Sequence, residues 1–137
     1  MIDLKILDQK CQSLLNEKHV RFCGIVNNMG RQIVGRYRNG ITPLVDKDEH
    51  IMCMEYALEM FMTKDLDEAL GPTEYIVSRR KKIMMISIPI NDHLILISAE
   101  LDANEKAIIK KAVDLLAKSE LYNQEKVSQI IKMQIKR

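Results

Sequence analysis

The stretch from Ile83 to Ala99 reads IMMISIPINDHLILISA. An apolar run ends at Ile90, Asn91-Asp92 follows, and a second apolar run extends from His93 to Ala99. Asn and Asp favour tight turns because they tolerate left-handed backbone and bond to it locally. The stretch therefore predicts two hairpin strands, 83–90 and 93–99. The first is apolar on both faces, with Met84, Ile86 and Ile88 on one side and Ile83 and Met85 on the other. Such a strand needs cover on both sides, which places it inside a sheet between layers of helix. Pro89 has no N–H for a ladder and belongs where the strand ends or bulges.

Working outward, Tyr75–Ser78 reads as a further strand, joined to Ile83 by the polar turn Arg79-Arg80-Lys81-Lys82. Val20–Val26 and Ile33–Tyr37 read as another hairpin around Asn27-Asn28-Met29-Gly30, ended by Gly40-Ile41-Thr42-Pro43. Leu4, Leu7, Cys11, Leu14 and Leu15 share one helical stripe, giving an amphipathic helix over about 2–18. Asp46 and Glu49 have capping-pair spacing, and Ile51, Met54, Leu58, Phe61 and Met62 recur at helical spacing behind them. Leu66 and Leu70 extend that stripe until Gly71-Pro72 stops it. Asp102 and Glu105 repeat the capping spacing ahead of Ile108, Ile109, Ala112, Leu115 and Leu116. A last helix is expected from about Gln124 to Arg137, in a C-terminal extension over 119–137. The expected fold is α+β: α-β-β-α-β-β-β-α(-α), a five-stranded antiparallel sheet with helices on both faces, in one domain spanning 1–137.

Composition fits this reading. The 137 residues are 47% hydrophobic, with no Trp, two Phe and nine Met, so Ile, Leu, Val and Met must build the core. Net charge is +2 but unevenly spread. Lys18, Arg21, Arg31, Arg36 and Arg38 face no acid between residues 18 and 38. Residues 46–68 hold Asp46, Asp48, Glu49, Glu55, Glu59, Asp65, Asp67 and Glu68 against Lys47 and Lys64. Three scattered cysteines, Cys11, Cys23 and Cys53, give no disulfide framework and suggest a reducing compartment. The start lacks a signal-peptide pattern and no apolar run reaches membrane-spanning length, so a cytoplasmic location is expected.

The element order resembles the roadblock and longin group of small α/β domains over about 2–118, the roadblock form most, because a helix precedes the first hairpin. That resemblance implies sheet order 2-1-5-4-3, with the second helix on one face and the first and third on the other. It also implies a non-catalytic scaffold or regulator of small GTPases or motors, dimerising through the second helix and the edge of the second strand. The runs Gly24–Arg31, Gly40–Leu44, Leu70-Gly71-Pro72 and Ser78-Arg79-Arg80 with Met84-Met85 resemble an uncharacterised archaeal family common in ammonia-oxidising archaea. This second resemblance covers about 20–102 and brings no activity.

The helix bearing Met52, Met54, Met60 and Met62 is apolar over more than one stripe, so it needs cover on two sides. Its own sheet supplies one. A second subunit meeting Met54, Leu58, Phe61 and Met62 is the preferred second cover, and the terminal helix is the alternative. The basic run Arg79, Arg80, Lys81 and Lys82, with Arg31, is a candidate anion site. Its plainer reading is a solvated turn protecting a sheet edge. Few aromatics accompany it, so nucleic acid is not expected. His19, His50 and His93 are isolated, and His50 with Cys53 is too small a set for a metal. No nucleophile elbow, zinc-protease motif or phosphate loop is present, and Gly24, Gly30 and Gly35 do not form a dinucleotide fingerprint. The sequence thus favours a homodimeric interaction module without cofactor, with a sensor of a small anion or nucleotide as the alternative.

Overall fold

The computed structural model describes residues 3–45 and 47–116. Helix α1 (Leu4–Leu14) starts on Asp3, whose carboxylate accepts from the N–H groups of Lys5 and Ile6. It buries Leu7, Cys11 and Leu14 and ends short of residue 18. No glycine closes it. Instead the Arg38 guanidinium donates to the carbonyl of Leu15, which the helix end leaves open, and to that of Glu17 just beyond it.

Strands β1 (Val20–Val26) and β2 (Gln32–Tyr37) form the first hairpin. In its turn Asn27 Oδ1 accepts from the N–H groups of Met29 and Arg31, and Gly30 takes φ +81°. Helix α2 (Glu49–Met62) follows. The capping pair is not seen there: Glu49 is the first helical residue, Asp48 makes no side-chain cap, and Asp46 lies outside the described residues. Nor does α2 run unbroken to Leu70. Thr63 turns its hydroxyl back on the Met60 carbonyl, 2.9 Å away. A tighter 3₁₀ turn over Thr63–Leu66 then leads into the short α3 (Asp67–Leu70). Gly71 ends it at φ 85°, ψ 154°, a region open essentially to glycine alone.

Strands β3 (Ile76–Arg79), β4 (Met84–Ile90) and β5 (His93–Ala99) complete the sheet. Its order is β2-β1-β5-β4-β3, with every pair antiparallel, as the roadblock resemblance implies. Pro89 lies beyond the last β3–β4 pair, Ile76 with Ser87, so no β3 neighbour stands opposite it. Helix α4 (Glu105–Leu116) is capped by Asn104, whose Oδ1 accepts from the Ala107 N–H at 3.1 Å. Asp102, the expected cap, instead stands 3.6 Å from His19. The expected helix at 124–137 lies outside the described residues.

Two cores sandwich the sheet. Leu7, Cys11 and Leu14 of α1 and Ile108, Ala112 and Leu116 of α4 pack with Met84, Ile86 and Ile88. Cys53, Ala57 and Met60 of α2 pack on the other face with Phe22, Met85, Leu94 and Leu96. The two-faced reading of residues 83–90 is therefore realised, and full burial of each large apolar side chain contributes about 1.5–3 kcal/mol. Among the described residues, no helix is long and apolar enough to cross a membrane.

Candidate interaction surface

The inner face of α2 is built from small or flexible side chains, Cys53, Ala57 and Met60, which let the helix sit close to the sheet. Cys53 donates its thiol to Gln32 Oε1 at 3.5 Å. Burial first, and the nearby Glu49 charge second, push that thiol up to about 11. Tyr37 is pushed up to about 12, again by burial ahead of Glu49. Both groups are protonated at neutral pH and unsuited as nucleophiles.

The outer face differs. Met54, Leu58 and Met62 are each more than half exposed, and Leu66 and Leu70 continue the row at the same four-residue step. Five large apolar side chains thus follow one another along α2, the 3₁₀ turn and α3, with Ile51 and Tyr75 exposed near its two ends. Three of the four interface candidates, Met54, Leu58 and Met62, are in the row. Phe61 is not: it is half-buried against the α2-side core, and Lys64 Nζ lies 4.9 Å above its ring. One helix position past Met60, its side chain follows the inner face instead of the outer one. Leu66 and Leu70 were legible as part of the stripe but not as exposed residues, since exposure depends on what the sheet leaves uncovered.

The candidate anion site does not assemble as a set of five. Arg31 sits in the β1–β2 turn, at the same end of the sheet as Asn91, since Val26 pairs with Leu94. Arg79–Lys82 lie at the opposite end, where Arg79 pairs with Met84 and Met84 with Ala99. A seven-residue strand, about 20 Å, separates the two ends. Arg79 is also committed, donating to the Leu101 carbonyl at 3.0 Å. Among the described residues, the side chains of Arg80, Lys81 and Lys82 have no hydrogen bond or ion pair.

Much of the basic stretch 18–38 is spent on partners within the chain. Arg21 pairs with Glu100 at 2.8 Å, Arg36 with Asp8 at 2.8 Å, and Arg38 with the end of α1. Arg36 holds the Asp8 carboxyl below its ordinary range, chiefly through that hydrogen bond. His50 is exposed while Cys53 is buried, so they do not face a common site. His93 Nδ1 lies 2.9 Å from Asp92 Oδ1 within the β4–β5 turn. Among the described residues, no cluster of three His, Cys, Asp or Glu side chains could hold a metal.

What the sequence reading missed is a crevice between α2 and the β3–β4 turn. Val45, Ile51, Met52, Tyr56, Ile83 and Met85 line it, with Asp48, Glu55 and Arg80 at its edges, and its volume is about 230 Å³. No local pattern announces it, because its walls come from three separate segments.

Against solved structures the chain superposes on a roadblock/LC7 domain from Streptomyces avermitilis, at TM-score 0.65 and 11% identity, over 79% of this chain and 89% of that one. The gliding protein MglB from Thermus thermophilus gives 0.69 and 14%, over 83% and 87%. Myxococcus xanthus MglB gives 0.70 and 14%, over 85% and 88%. At such identities the likeness is one of fold. No curated protein matches the chain by sequence. A family profile does, over residues 1–125, and so the chain, with its roadblock-like fold, belongs to DUF6659, a family of unknown function.

Proposed function

We propose that this protein is a non-catalytic interaction module, one domain over 1–137, that works as a homodimer joined through the outer face of α2. The observation that carries this reading is the exposed row Met54, Leu58, Met62, Leu66 and Leu70. Met54, Leu58 and Met62 lie one helical turn apart on α2, and exposed apolar surface of this kind marks a contact with another macromolecule. A two-fold axis crossing the row would lay the two copies of α2 antiparallel, each row covering the other. Both β2 and β3 are edge strands. From Met54, whose Cα would lie 3.0 Å from a side chain at Gly30, the row leads away from the β1–β2 turn. Along the chain it leads to Tyr75, which is exposed just ahead of β3. By the roadblock resemblance, the interface would also take in the edge of β2, whose hairpin turn meets α2 at Met54.

Support for assembly by such folds comes from a solved MglB with a tetrameric arrangement, 16% identical to this chain. By the roadblock resemblance, the dimer would serve as a regulator or scaffold for a small GTPase. By the second resemblance, it would do so in the cytoplasm of an archaeal cell.

The test is solution mass by size exclusion with light scattering. The wild type is expected at about twice 15.9 kDa. Met54→Glu with Leu58→Glu should give a monomer with an unchanged circular dichroism spectrum, because both positions are exposed in the single chain. A wild-type monomer at tens of micromolar, or a double variant retaining the dimer mass, would refute the interface.

A further inference from the structure

The crevice between α2 and the β3–β4 turn has walls of one chemistry and a rim of another. Its interior is apolar, formed by Ile51, Met52 and Tyr56 from the helix against Ile83 and Met85 from β4 and its approach. It shares Val45, Arg80 and Ile83 with a wider depression of about 640 Å³, walled by Leu44 and the whole turn Arg79–Lys82. The turn is closed by the Arg80 N–H on the Ile83 carbonyl at 2.9 Å, which fixes Arg80 beside the crevice mouth. Arg80 thus stands at the apolar slot, and Lys81 and Lys82 line the depression that adjoins it, with no counter-charge bonded to any of the three among the described residues.

We propose that this crevice binds a small anionic amphiphile. An apolar body enters between Tyr56 and Ile83, and a phosphate, sulfate or carboxylate group rests on Arg80 with Lys81 and Lys82. Several features set this class. The inner slot is smaller than the roughly 300–1,000 Å³ of sites for drug-sized ligands, so it admits one short chain or ring. Its walls offer little to a fully polar anion, which would leave the apolar surface wet. Asp48 and Glu55 stand on the helix side; they repel an anionic head there and leave the turn as its seat. A guanidinium suits such a group because its planar fork can give two parallel hydrogen bonds.

The crevice shares α2 with the proposed dimer face but none of the five residues of the exposed row, and the methionines report on the two separately. Met52 and Met85 line the crevice, whereas Met54 and Met62 belong to the exposed row. The experiment is nuclear magnetic resonance of the full chain labelled with ¹³C at the Met methyls. It is titrated with decyl phosphate below its micelle threshold, with decanol and with inorganic phosphate. Decyl phosphate should move the Met52 and Met85 signals at sub-millimolar concentration, and the other two probes should bind at least tenfold more weakly. Arg80→Ala should weaken decyl phosphate binding about tenfold, the loss expected for one hydrogen bond to a charged group. Arg31→Ala, at the far end of the sheet, should leave it unchanged.

No movement of Met52 and Met85 at millimolar decyl phosphate would overturn the proposal. So would equal binding of decanol, which removes the role of the cations, or movement confined to Met54 and Met62. Binding only to phosphatidylglycerol vesicles, with no response to the monomeric probe, would make the turn a membrane contact and also overturn it.

Discussion

Replacing Gly30 by Ala tests how the first hairpin sets the position of α2. Gly30 has φ +81°, and a residue with a Cβ loses about 1–2 kcal/mol in left-handed backbone. The added methyl would also stand 3.0 Å from the Met54 Cα and 3.3 Å from its Cβ. That Cα belongs to a helix and cannot swing aside, so α2 must shift by a few tenths of an ångström. Overpacking of this kind adds about 1–3 kcal/mol. The combined loss should be about 2–4 kcal/mol, the range left after partial relaxation of the two. Gly40 provides the control: its φ is +82°, but nothing lies within 4 Å of an added Cβ. Gly40→Ala should therefore show the backbone cost alone. At about 4 °C per kcal/mol for a domain of this size, the melting temperature falls by about 8–16 °C for Gly30→Ala and about 4–8 °C for Gly40→Ala. Far-ultraviolet circular dichroism melts decide it. Equal falls would show that the hairpin does not fix α2, and no fall in either would refute the left-handed turns themselves.

Two other outcomes follow from the same contacts. Arg38→Ala takes the guanidinium from the Leu15 carbonyl and leaves the Glu17 carbonyl only the Val20 N–H, and should lower stability by about 1–3 kcal/mol in urea unfolding. Arg38→Lys should recover only part of that loss, because one ammonium replaces a fork. Asp8 is held below its ordinary range by Arg36, so its ionised form is favoured in the folded state. Its contribution is complete above the unfolded carboxyl value of about 4 and disappears as pH falls through the lower folded value. The gap in urea midpoint between wild type and Asp8→Asn should be steady near neutrality and close under acid. A gap that persists at low pH would show that the Asp8–Arg36 pair is not its source.

Legibility in the sequence follows the range of the interactions involved. Residues 83–99 determine a central hairpin by themselves, since alternation on a pleated strand is a property of near neighbours and Asn91-Asp92 names its own turn. β1 and β5 were readable to the residue for the same reason, and the row Met54–Leu70 was readable as helical spacing. Helix ends were not. α1 stops at Leu14, and the carbonyls just past its end, of Leu15 and Glu17, are taken by Arg38, more than twenty residues away. α2 gives way to a 3₁₀ turn after Met62, where the Thr63 hydroxyl turns back on the Met60 carbonyl. The fate of the charges was hidden most completely, because their partners are distant in sequence. Arg21 meets Glu100 and Arg36 meets Asp8 only once the sheet and α1 are in place. Arg31 and Arg80 carry the same charge in similar turns, yet the antiparallel order sends them to opposite ends. Local pattern was enough for the order of the elements and the surplus of apolar surface on α2. Which apolar side chains stay exposed, which cations keep no partner, and that Arg80 among them borders an apolar crevice were settled only by the tertiary fold, because each depends on groups that meet only after the chain has folded.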